Sequence, residues 1–273
     1  MQPSDDQPAA ANSSLELAKL RQGLEAGAEE LFQLIQDPDL QFLATLLQNP
    51  QLDENHLLAL LKRHDLSPAL INRIHQLTRR TSSRRLQLAL IANPATSSAL
   101  VRTLLPQLRL FELLDLCLLP TATADQKLAA ERTLLQRLPT TPLGSKITLA
   151  RRGTSAVVAE LLQSGQPQVF NACLSSPRLQ EAALHRFLRG PGASAETISM
   201  LARHDRWKQR PNLQLAILKN PRTPDIWFTL WLPRLKRPLL QQLRNSLHST
   251  PTKKRLIERE LAKRAGGSGK SRV

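Results

Sequence analysis

Two groups of basic residues have the types and spacing to bind anions. The first precedes the segment 86–96 and comprises Arg79, Arg80, Arg84 and Arg85; the second precedes the segment 213–223 and comprises Arg206, Trp207, Lys208 and Arg210. A guanidinium binds phosphate or carboxylate through two parallel hydrogen bonds, and Trp207 can stack on a nucleobase or on an arginine. We predict binding residues in both groups, with ordinary solvated turns as the alternative.

Residues suited to catalysis or metal binding are sparse. No Gly-x-Ser-x-Gly nucleophile motif occurs, and neither His64-Asp65 nor His204-Asp205 has further ligands at metal-binding spacing. The glycine-rich stretch 266–271 has Arg264 where a phosphate-binding loop has its first glycine. We therefore predict that the chain is not an enzyme and has no catalytic residues, no metal site and no cofactor.

The two basic groups lie within a larger internal repeat. The segment LQLALIANPAT at 86–96 recurs as LQLAILKNPRT at 213–223, an offset of 127, and the same offset relates many positions between 44 and 137 to the second half. Self-similarity at a fixed offset indicates a repeat architecture. The sequence therefore predicts an internal duplication.

Each half is subdivided by openings that contain proline. Asn49-Pro50 and Asn93-Pro94 are 44 residues apart, as are Ser176-Pro177 and Asn220-Pro221. The starts near 11, 49, 93, 138, 176 and 220 predict six units, each the length of two antiparallel helices with their turns. In the last opening we expect Thr223 to cap the next helix and Pro224 to occupy its first position, while Ser67-Pro68 uses a similar device.

Apolar residues after each opening recur at spacings of three and four, which places them on one helical face. Trp227 and Trp231 stand where the first half has Leu100 and Leu104. This correspondence favours a buried role for both tryptophans, with an exposed binding anchor as the alternative.

The Asn-Pro-x-Thr-Pro opening, the leucine stripe and the unit length resemble bacterial HEAT-like repeats, including the variant leucine-rich type, over roughly 40–264. The resemblance implies an all-α fold, a right-handed α-solenoid of about six antiparallel helical hairpins that contacts proteins or nucleic acids, and it carries over no catalytic residues. We expect a disordered tail over 1–12, a first three-hairpin half over 13–137, a second over 138–264 and a flexible basic tail over 265–273.

Charge distribution indicates the class of partner. The net charge is +16, and residues 66–273 carry 34 basic against 11 acidic side chains. Such a surface favours acidic partners, so we expect a protein-interaction scaffold for an acidic protein surface, with DNA or RNA as the alternative. Cys117 and Cys173 lie in apolar runs, which predicts buried free thiols, and the absence of a long apolar run predicts a cytoplasmic protein without a membrane span.

Overall fold

The described part of the chain is helical throughout. The computed structural model describes residues 17–79, 83–246 and 251–267, and no strand occurs in these ranges. The predicted all-α class is therefore confirmed. Arg80, the tail predicted over 1–12 and residues 268–273 lie outside the described residues. Residues 265–267 were expected in the second tail but belong to the last helix.

The chain forms two compact units, the first ending at Gln136 and the second beginning at Arg137. The helices of the first unit are α1 (described over 17–25), α2 (Ala28–Leu34), α3 (Leu40–Leu46), α4 (Glu54–Leu60), α5 (Pro68–Thr78), α6 (Arg84–Ala92), α7 (Ser98–Leu104), α8 (Leu110–Leu118) and α9 (Ala124–Arg137), whose last residue falls in the second unit. A short 3-10 turn, Leu105–Gln107, follows α7.

The helices of the second unit are α10 (Leu143–Arg152), α11 (Ser155–Gln163), α12 (Pro167–Leu174), α13 (Glu181–Arg189), α14 (Ala195–Arg203), α15 (Pro211–Lys219), α16 (Asp225–Trp231), α17 (Arg237–Ser246) and α18 (Pro251–Gly267). A 3-10 turn, Leu232–Arg234, follows α16.

The interval between successive proline openings contains three helices, so the prediction of one two-helix hairpin for each interval is wrong. Between Asn49 and Asn93, for example, lie α4, α5 and α6. The additional helix starts at Ser83, whose hydroxyl accepts a hydrogen bond from the backbone N–H of Leu86. Serine at a helix N-cap satisfies a backbone donor that has no partner within the helix, so a single serine is enough to begin α6.

Helices pack against their second neighbours along the chain. In the first unit α2 contacts α4 and α4 contacts α6, while α3 contacts α5; in the second unit α11, α13, α15 and α17 contact one another in sequence, as do α10, α12 and α14. Consecutive helices therefore belong to different rows. Two helices, not the three between openings, bring the chain back to the same row.

The predicted buried residues are confirmed. Trp227 and Trp231 are each 7% exposed, and Cys117 and Cys173 are buried free thiols. The indole N–H of Trp227 donates to Ser199 Oγ at 3.1 Å. These side chains stabilise the helix packing, because removing large apolar surfaces from water is favourable.

Buried asparagines join each helix end to the helix two positions earlier. Asn93 Nδ2 donates to the carbonyls of Leu61 and Arg63 at 2.8 and 2.7 Å, and its Oδ1 accepts from the backbone N–H of Ala95. Asn220, 127 residues later, likewise donates to the carbonyl of Leu188 at 2.6 Å and accepts from the N–H of Arg222. Each asparagine thus supplies a donor to carbonyls that lack a helical partner.

Thr223 does not cap the next helix as predicted. Its hydroxyl donates backward to the carbonyl of Ile217 in α15, and the N-cap of α16 is Pro224 rather than the threonine. Thr96 makes the equivalent bond to the carbonyl of Leu90. The Ser67-Pro68 device is confirmed, since Ser67 accepts from the N–H of Leu70 and Pro68 begins α5.

We expect Asn93→Ala to lower the free energy of unfolding by about 3 kcal/mol, because it leaves two buried carbonyls without a donor. Urea denaturation followed by circular dichroism measures the change. Asn171, exposed on α12, is the matched control: Asn171→Ala should shift stability by no more than about 0.7 kcal/mol through helix propensity. Equal effects of the two substitutions would contradict the structural role of the buried amide.

Candidate functional site

Two grooves lie at corresponding places in the two units. The first groove, of about 750 Å³, lies between α4 and α6, and the second, of about 630 Å³, between α13 and α15. The 127-residue offset relates six pairs of lining residues: Leu58 and His185, Leu61 and Leu188, Lys62 and Arg189, Ala89 and Ala216, Ala92 and Lys219, and Asn93 and Asn220. The two grooves therefore use the same framework with different side chains.

The first groove has an apolar floor. Leu58 of α4 and Leu88 of α6 are half-buried along it, and Phe32 of α2 is 41% exposed at one end. The Phe32 ring packs against His56 with centroids 4.2 Å apart. His56 is itself held in place, since its Nε2 lies 2.8 Å from the carbonyl of Ala28 and its Nδ1 accepts from the N–H of Asp53. Phe32 is thus exposed against a firmly held partner.

Exposed basic residues line the rim of the first groove. Lys62, His64 and Arg85 are all exposed. Within the described residues neither Lys62 nor Arg85 forms an ion pair. An apolar floor with a cationic rim can accept a ligand that presents an apolar face bordered by negative charge.

The second groove is more basic than the first. His185 and Lys219 stand where the first groove has Leu58 and Ala92. His185 Nε2 lies 3.5 Å from Glu181 Oε1, while Arg222 donates to the carbonyls of Pro191 and Ala193 at 2.9 and 2.8 Å. The offset therefore relates an apolar lining to a charged one.

The predicted basic groups lie in turns between helices, as expected. The group 79–85 joins α5 to α6, and the group 206–210 joins α14 to α15. Arg79 and Arg85 are exposed, and so is Arg210. Arg85 lines the first groove, whereas Arg79 lines a separate cleft of about 500 Å³ beside His75. A binding role for these three arginines stays a prediction.

Several of the predicted binding residues are engaged within the fold. Arg84 forms a two-pronged ion pair with Glu112, in which Nε lies 2.9 Å from Oε1, and it also donates to the carbonyl of Gln107. Arg206 donates to the carbonyls of Ser176 and Leu179, at 2.6 and 3.2 Å. Lys208 is paired with Asp205. These cations already have partners inside the protein.

Trp207 is a core residue and is not available to stack on a nucleobase. It is 3% exposed, and its indole N–H donates to the carbonyl of Leu174 at 3.1 Å. The alternative role predicted for it is observed, because the Arg206 guanidinium lies over the ring at 4.4 Å. The sequence pattern could not distinguish these roles, because both place a tryptophan beside an arginine.

Other arginines also bind backbone carbonyls of an earlier turn. Arg63 donates to the carbonyls of Ile35 and Asp37, and Arg264 to those of Leu232, Pro233 and Leu235. At Ser176, where the offset from Asn49 would place an asparagine, Arg178 donates to the carbonyls of Arg152 and Gly153. Much of the basic composition therefore stabilises the fold.

The described residues contain no group of three His, Cys, Asp or Glu side chains placed to hold a metal ion. Burial raises the pKa of the Cys117 thiol to about 11 and that of Cys173 to about 12. Among the described helices, none combines the length and apolar character needed to cross a membrane.

No family model matches the chain, and comparison with curated proteins and with solved structures also finds no match.

Both cysteines should react slowly with a thiol reagent in the folded protein. A thiol of pKa 11 is ionised in about one molecule in a thousand at pH 8, and the thiolate is the reactive form. Ellman's reagent at pH 8 should modify both thiols within minutes in 6 M guanidinium chloride and at least a hundred times more slowly without denaturant. Equal rates in the two conditions would contradict the burial.

The Arg84–Glu112 pair makes stability depend on pH. The hydrogen bond from Arg84 holds the pKa of Glu112 below its usual value of 4.5, so the carboxylate stabilises the folded state above that pH and the contribution is lost as pH falls through the lower, folded pKa. We expect Glu112→Gln to cost about 1 kcal/mol at pH 7 and almost nothing at pH 3. Denaturation at both pH values tests this; a difference that persists at pH 3 would oppose it.

Proposed function

We propose that this chain is a non-catalytic α-helical repeat scaffold that binds a partner protein with an acidic surface. The observation that carries the proposal is the first groove, which combines an apolar floor with the exposed cations Lys62 and Arg85. Protein interfaces commonly join an apolar centre to a polar rim. Positive charge around the groove favours acidic partners over basic ones and speeds their association.

We further propose an α-solenoid that arose by internal duplication. The duplication is supported by equal hydrogen bonds at positions 127 apart, those of Asn93 and Asn220 and those of Thr96 and Thr223. The solenoid is supported by the contacts between second-neighbour helices. Side-chain bonds to earlier turns span 26 residues at Asn49 and 33 at Gln126, which suits a repeating hairpin of about 30 residues, shorter than the spacing of the openings.

A nucleic-acid-binding solenoid remains the second candidate, and the second groove is the observation that favours it. Arg189 and Lys219 lie there on the same framework, beside His185. Against it, Trp207 is buried, and Arg84 and Arg206 are bound to groups of the protein itself. Fewer cations are therefore free to contact phosphates than the net charge suggests.

Binding measurements at several salt concentrations separate the two candidates. The full chain, immobilised, should retain proteins from a nuclease-treated cell extract, and Lys62→Glu/Arg85→Glu should retain at least tenfold less of them. By anisotropy, a 20-base-pair DNA duplex and a single-stranded RNA should bind more weakly than 10 µM at about 150 mM salt, since few free phosphate contacts are available.

Lys127→Glu/Lys146→Glu is the matched control, because it changes the charge equally at positions outside both grooves. Retention by this variant should equal that of the unaltered chain. Capture that disappears after nuclease treatment, together with tight and steeply salt-dependent binding of DNA or RNA, would replace the proposal by the second candidate.

A further inference from the structure

We infer that the first groove is the docking site for an acidic amphipathic helix of the partner protein. The inference rests on the proposed function and adds to it the place and the chemistry of recognition. Amphipathic helices commonly bind by laying an apolar face into a groove. The groove must then provide an apolar track, space for side chains and charges that match the flanks of the helix.

The track consists of one apolar side chain from each of four successive sites in the chain. Phe32 on α2, Leu58 on α4, Leu88 on α6 and Leu119 after α8 all line the groove. They follow one another at about thirty residues, the same interval that brings the chain back to a row of helices. The repeat geometry therefore aligns side chains that are remote in sequence into one apolar surface.

Space for the partner's side chains comes from alanines between these larger residues. Ala59, Ala89 and Ala92 line the groove and are half-buried. Their short side chains leave about 750 Å³ open. Large residues alternating with small ones give a surface into which the apolar ridge of a helix can pack, as ridges pack into grooves between helices.

The charges of the rim specify the flanks of the ligand. Nearby carboxylates are already bound: Asp65 pairs with Arg63, with Oδ1 3.0 Å from Nε, and Glu54 accepts from Ser83 Oγ at 2.8 Å. Lys62 and Arg85 have no such partner among the described residues. A helix that carries Glu or Asp beside its apolar face would neutralise both, whereas a basic helix would be repelled.

The apolar floor disfavours a nucleic acid in this groove. A phosphate backbone placed over Leu58 and Leu88 would lose hydration without gaining hydrogen bonds, and burying an unpaired charge is costly. The second groove provides an internal comparison, because its His185 and Lys219 replace apolar residues of the track and the position related to Phe32 is Ala159. We therefore assign the amphipathic helix to the first groove alone.

Fluorescence anisotropy with a designed peptide tests the inference. The probe is a labelled 18-residue helix with leucines at i, i+3, i+4 and i+7 and glutamates on both flanks, and an isomer with the same residues in scattered order is its control. We expect the isomer to bind the full chain at least tenfold more weakly than the probe. Probe binding should also weaken as salt rises, because the rim cations are exposed.

Substitutions locate the site. Leu58→Gln/Leu88→Gln should weaken probe binding at least tenfold, while the matched pair Leu77→Gln/Leu128→Gln, at exposed leucines outside the groove, should change it less than twofold. Leu58→His serves as a second groove variant, since histidine occupies the related position 185 in the folded second unit. Circular dichroism and thermal melting establish that each variant is folded.

Three results would overturn the inference. These are no probe binding at 100 µM, equal binding by the groove variants and the unaltered chain, and displacement of the probe by duplex DNA that binds both proteins alike. Capture of nuclease-resistant proteins by Leu58→Gln/Leu88→Gln at the level of the unaltered chain would leave the scaffold function standing and reject only its assignment to this groove. Failure of all capture would instead reject the scaffold itself.

Discussion

The structure depends on satisfying the carbonyl groups at the ends of short helices. Helices α2, α3, α4, α7 and α16 have seven residues each, and the last four carbonyls of any helix lack a partner within it. Side chains from a later turn supply the donors, namely Asn93 and Asn220 by their amides and Arg63, Arg178 and Arg206 by their guanidiniums. Each such bond also fixes the distance between helices of the same row.

This requirement changes the meaning of the basic composition. An arginine that donates to two or three buried carbonyls contributes positive charge to the sequence but little freedom to bind a ligand. Arg84 and Arg206 were singled out for their place in duplicated turns, yet both are held by groups of the protein. The cations that matter for recognition are those without such bonds, and Lys62 and Arg85 lie beside an apolar groove.

The sequence predicts the helical class, the buried tryptophans and the cap at Ser67, because each depends on local spacing or on a correspondence between halves. It does not predict the third helix between openings, because Ser83 begins α6 without the proline that marks the other starts. The groove escaped prediction for a different reason. Phe32, Leu58 and Leu88 come from separate helices, and only the packing of second neighbours aligns them; their spacing of about thirty residues was a signal, but the 44-residue period of the openings obscured it.

The central claim is that recognition occurs in the groove between α4 and α6 and not at the arginine turns. Hydrogen–deuterium exchange of the full chain, with and without a saturating acidic amphipathic peptide, measures this most directly. The account predicts slower exchange over 54–64 and 84–93 and unchanged exchange over 204–211. Slower exchange confined to the turns at 79–83 and 204–211, with α4 unaffected, would contradict it.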